Sequence, residues 1–138
     1  MVFTPVNVIL GLKIAVAAVT VLFVASLVAL AVRRPKWHGR INTAFFILTM
    51  ATVLGFEAII RFVVPNLTAE FSPAQREALA VHLWFSIPSA IMLPAMLYTG
   101  KRRLLEYHIP LACAFLVLWS GTFVTGIFFL PHHFEPHP

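Results

Sequence analysis

Charge is scarce in this sequence: 11% of residues are charged, aspartate is absent, and five glutamates supply every acidic side chain. With 60% hydrophobic residues and a mean hydropathy of +0.91, this scarcity excludes a soluble domain of this length and makes the chain an integral membrane protein. Cysteine is almost missing as well. The single Cys113, inside an apolar run, excludes a disulfide or a thiolate zinc site within one chain and reads as a small core residue. No basic leader precedes the first apolar run, which is also too long for a signal-peptide core, so that run is expected to be retained as a span. No nucleophile paired with a base is visible, so independent enzymatic activity is not expected, hydrolysis least of all.

What is abundant is long apolar runs. The 138 residues suffice for four spans with short connections and no additional soluble domain. The expected fold is all-α: an up-and-down bundle of four transmembrane helices in a single membrane domain, with spans at about 6–32, 41–64, 78–98 and 109–130. Ser72-Pro73-Ala74-Gln75 offers a cap, a first-turn proline and a capping-box glutamine, so the third helix should begin before its span does. Pro88 and Pro94 interrupt that helix and predict a kink. Lys13 is expected to snorkel to the interface.

The formal charge of +5 points to topology, not to nucleic acid. Arg33, Arg34, Lys36 and Arg40 follow span one, and Lys101, Arg102 and Arg103 follow span three, whereas Arg61 and Arg76 after span two are matched by Glu70 and Glu77. The two basic loops should therefore lie on the cytoplasmic side of the membrane, with both termini outside. Each loop also carries an arginine pair, a spacer, an aromatic residue and a histidine: Arg33-Arg34 through Trp37-His38, and Arg102-Arg103 through Tyr107-His108. The chain reads as two similar hairpins related by an axis along the membrane normal.

In such a bundle helices two and four are diagonal, so His38 and His108 could approach at one depth across the interior. A flat cofactor ligated on both faces, a b-type haem, suits that separation better than one small ion. Arg33, Arg34, Arg40, Arg102 and Arg103 would neutralise its propionates, and Trp37 and Tyr107 could pack on its edge. The alternative is that the histidines and aromatics are interfacial anchors beside lipid phosphates.

His82, His132 and His133, with Glu57, form a second constellation at the outer surface, whose imidazole and carboxylate donors suit copper, zinc or iron. Glu57 also has Arg61 at i+4, which favours an ion pair along the helix. Ser120-Gly121-Thr122 and Thr125-Gly126 read as packing positions, as do Met92 and Met96.

Three stretches, "WHGRINTAFFILTMATVLGFEAIIRF", His82 early in the next span, and "RRLLEYHIPLACAFLVLWSGTFVTGIFF", resemble the CtaM/YozB family of small bacterial membrane proteins. The matching positions are His38 with Arg40, His82, His108 and Thr125-Gly126. The resemblance implies service to a respiratory haem-copper cytochrome oxidase, in assembly or in electron transfer, with haem b or copper held by the histidines. Its partners would be the lipid bilayer and other subunits of that complex. The alternative function is a cofactor-free accessory subunit stabilising a larger respiratory or photosynthetic complex.

Overall fold

A computed structural model describes residues 4–63, 69 and 71–130. Every regular element among them is helical: α1 (Pro5–Ala31), α2 (Pro35–Ala58), α3 (Pro73–Lys101) and α4 (Leu105–Val124). α2 and α4 each continue into a π-helical turn, Ile59–Val63 and Thr125–Phe129. Four helical segments are long and apolar enough to cross a membrane. The bundle is thus the all-α, four-helix architecture expected from hydropathy.

Helix starts differ from the expected spans. α2 begins at Pro35 and α4 at Leu105, so Lys36, His38 and Arg40 after the first turn and His108 after the second are already helical. Backbone hydrogen bonding runs past the limit of the apolar run, and hydropathy reports only the latter. At α3 the expected capping box is formed: the Ser72 hydroxyl accepts from the Gln75 amide, and the Gln75 side chain accepts from the Ser72 amide.

α1 packs extensively on α2, and α3 on α4, while the faces joining the two hairpins are thin. α2 and α4 stand diagonally across the bundle. Between them the core is aromatic. Phe45 and Phe115, at 1% and 0% exposure, meet edge to face with centroids 6.0 Å apart, and Phe23 and Trp119 complete the cluster. Large apolar side chains such as Val21, Leu54, Trp84 and Val117 point outward, as lipid-facing positions require.

The two hairpins repeat at a spacing of 70 residues. Buried positions Val19, Phe23, Ser26 and Ala29 of α1 correspond to Ser89, Leu93, Met96 and Thr99 of α3, and Phe45 and Thr49 of α2 to Phe115 and Trp119 of α4. The turns correspond too: Arg33 and Arg103 both adopt left-handed backbone, with φ of 58° and 54°. In each turn the next amide reaches back to a helix carbonyl, Arg34 to Ala29 at 2.8 Å and Leu104 to Thr99 at 2.9 Å. Both turns use the left-handed closure that commonly ends helices, here without glycine.

Two side chains depart from expectation. Lys13 does not snorkel outward; it is buried, and its ammonium donates to the carbonyls of Leu130 at 2.8 Å and Ile127 at 3.1 Å. The end of α4 has carbonyls with no partner within the helix, and a cation satisfies them at a point where the dipole is negative. Cys113 is exposed on α4 instead of lying in the core, because a lipid-facing position is as apolar as a buried one.

Candidate functional site

Three imidazoles lie inside or at the ends of the bundle, and each is fixed through Nδ1 by the neighbouring helix of its own hairpin. His38, one turn into α2, has Nδ1 2.8 Å from the Ser26 hydroxyl and 2.9 Å from the Ser26 carbonyl on α1. His108, one turn into α4, has Nδ1 3.1 Å from the Thr99 hydroxyl on α3. His82 on α3 has Nδ1 2.9 Å from the Thr125 hydroxyl, in the π-helical turn that follows α4.

Two of these contacts share a construction. The His108 ring lies on Gly100, where an added Cβ would come within 3.1 Å of Cε1, and the His82 ring lies on Gly126 at the same 3.1 Å. In both cases a threonine hydroxyl holds Nδ1 and the following glycine leaves space for the ring. Thr99-Gly100 on α3 receives a histidine from α4, and Thr125-Gly126 beyond α4 receives one from α3. The α3–α4 hairpin is clamped reciprocally at its two ends.

His38 and His108 sit at the end of the bundle that carries the two tight turns. Both are half-buried. Their protein hydrogen bonds run through Nδ1, so each Nε2 is left without a protein partner among the described residues. In protein metal centres the second ring nitrogen of a ligating histidine is held in this way by a carbonyl or another oxygen, which fixes the tautomer and aims the free nitrogen. If Ser26 carbonyl accepts from Nδ1–H, the Nε2 of His38 carries a lone pair and can ligate.

Phe45 and Phe115 each follow their histidine by seven residues, two helical turns, and close the axis beneath the pair. Arg33, Arg34, Arg40, Arg102 and Arg103 are all exposed around this end. Arg40 lies over the Trp37 ring at 5.7 Å and Arg102 over Tyr98 at 5.8 Å, so two of the five are already engaged with interfacial aromatics. Trp37 and Tyr107 are largely exposed, as belt residues are.

The second constellation is only partly visible. His132 and His133 lie outside the described residues. Glu57 is half-buried and forms the ion pair with Arg61 that the i+4 spacing predicts. Among the described residues no group of three or more His, Cys, Asp or Glu side chains is gathered as a metal site. Sequence reasoning singled out the histidines but missed Ser26 and Thr99, whose only signal is a hydroxyl within an apolar run shortly before a histidine.

Comparison with known proteins finds no matching family model, no similar curated protein and no similar solved structure.

Proposed function

We propose that this chain is a small metal-binding or haem-binding membrane protein that serves a respiratory haem-copper oxidase, with His38 and His108 as its ligands. One observation carries the reading: two imidazoles at equivalent positions of the two hairpins, each anchored through Nδ1 with Nε2 left for a ligand. The proposed setting is a bacterial inner membrane with the basic loops 33–40 and 101–103 in the cytoplasm and both termini outside. The oxidase assignment draws on the likeness of the histidine-bearing stretches to the CtaM/YozB family.

Both haem b and copper find suitable imidazole donors here. Imidazole suits copper well. When bound, the metal would supply a redox couple or a deliverable ion. The residues of the chain hold it: Ser26 and Thr99 orient the rings, and the exposed arginines keep the mouth attractive to anionic partners.

The test is loading of detergent-purified full-length protein with copper(I) and, separately, with haemin. About one equivalent of copper or haem per chain is expected, with affinity lowered roughly tenfold or more in Ser26→Ala and Thr99→Ala, and further in His38→Ala and His108→Ala. Elemental analysis without copper, together with a reduced-minus-oxidised spectrum without b-type bands, would sink the reading.

A cofactor-free accessory subunit is the second reading, favoured by one feature. An open groove of about 450 Å³ runs along α1 and α2, lined by Gly11, Ala15, Ala51 and Gly55 among others, and suits close approach of a partner helix. Under this reading His38→Ala and His108→Ala leave assembly of the larger complex intact.

A further inference from the structure

The 70-residue repeat makes its own exceptions informative. Arg33 and Arg103 are matched, as expected of cations that set topology. Lys36, Arg40 and Lys101 are not: their counterparts in the repeat are Glu106, Pro110 and Ala31. Lys36, Arg40 and Lys101 line one crevice of about 500 Å³ on the α2–α3 side of the bundle, together with Gly39 and Thr43, whereas Arg34 and Arg102, whose counterparts are Leu104 and Val32, lie outside it. Three cations that the repeat does not duplicate are thus gathered on one of the two faces that join the hairpins.

The crevice has the shape and chemistry of an amphiphile's headgroup site. Its cations stand at the first turns of α2 and the last turn of α3, and no carboxylate is among its lining residues. From Lys36 to Thr43 it deepens by seven residues of α2, about 10 Å along the helix. Gly39 forms part of the wall, and a Cβ there would meet nothing within 4 Å, so the space beside it is open. Arg40 is steadied by the Trp37 ring, which keeps its guanidinium at the interface. Its carbon surface comes from the stems of its three cations, Gly39 and Thr43. Free phosphate would use the mouth alone, whereas a phospholipid uses the mouth for its phosphate and the deeper wall for its glycerol and upper acyl carbons.

We infer that the crevice formed by Lys36, Gly39, Arg40, Thr43 and Lys101 is a binding site for the phosphate headgroup of an anionic phospholipid, which bridges the two hairpins across their thin α2–α3 contact.

The experiment is native mass spectrometry of the full-length chain, released from detergent in the presence of phosphatidylglycerol, phosphatidylcholine or inorganic phosphate. Phosphatidylglycerol should be retained over phosphatidylcholine, and the triple variant Lys36→Gln/Arg40→Gln/Lys101→Gln should lower that retention about tenfold or more. Arg33→Gln/Arg34→Gln/Arg103→Gln removes the same charge from the same membrane surface and should lower it no more than about threefold. Gly39→Leu keeps every charge, fills the crevice and should also lose the lipid. Helicity by circular dichroism confirms that each variant is folded. Equal losses in the two triple variants would overturn the proposal, as would unchanged retention in Gly39→Leu or equal retention of phosphatidylcholine. Binding of inorganic phosphate without phosphatidylglycerol would overturn the lipid assignment and leave a free-anion site.

Discussion

An imidazole placed between membrane helices has two nitrogens to satisfy and no water with which to do it. His82 and His108 solve half of this problem with the same pair of residues, a threonine that bonds Nδ1 and a glycine that accommodates the ring. Replacing Thr125 with Val should cost about 0.6–1.7 kcal/mol, the range found for hydrogen bonds between membrane helices, read by reversible unfolding in mixed micelles. Gly121 has a different duty: a Cβ there would collide with the Phe85 ring at 2.2 Å, so Gly121→Ala should destabilise by about 1–3 kcal/mol in the same assay. Thr49 offers the opposite sign. Its buried Oγ1 has no hydrogen-bond partner among the described residues, so Thr49→Val should be neutral or stabilising by about 1 kcal/mol. The histidines were legible in the sequence because such residues are conspicuous in apolar runs. Their hydroxyl partners were not, since serine and threonine are also at home in membrane helices when bonded to their own backbone, as Thr52 and Ser120 are.

At the scale of the helix, the legible features were those written in local chemistry. The Ser72 to Gln75 capping box was readable because all its partners lie within four residues. The contact of Lys13 with the end of α4 was not, because it spans more than a hundred residues of chain. Nor does sequence announce the π-helical turns, which arise where helix ends adjust to tertiary contacts. Lys13 is expected to hold the last turn of the bundle. Lys13→Met, which keeps the apolar stem, should lose about 1.5–3 kcal/mol from charged hydrogen bonds. Amide exchange should then rise at 127–130, while exchange around Phe45 and Phe115 changes little.

For the molecule as a whole, hydropathy alone gave the helix number and the up-and-down order, because a bilayer permits few alternatives. The likeness of the two basic loops hinted at the repeat, but its strongest evidence, a shared pattern of buried positions, exists only once the helices are packed. If that repeat governs the core, Phe45→Ala and Phe115→Ala should each cost about 3–5 kcal/mol and be matched to within about 1 kcal/mol, with a double variant less costly than their sum because the rings touch. A clear inequality would show that the shared burial pattern does not carry shared energetics.

Pseudo-symmetry of this kind is most telling where it fails. The two hairpins present nearly equivalent backs to the membrane, yet the open groove lies along α1 and α2 and the basic crevice between α2 and α3, with no counterpart of its cations across the bundle. Rotating the molecule by half a turn about its long axis therefore does not restore the same surface. The protein has a compass bearing within the plane of the membrane. A neighbour that reads both features can seat it in a single rotational setting, even though the interior would tolerate two.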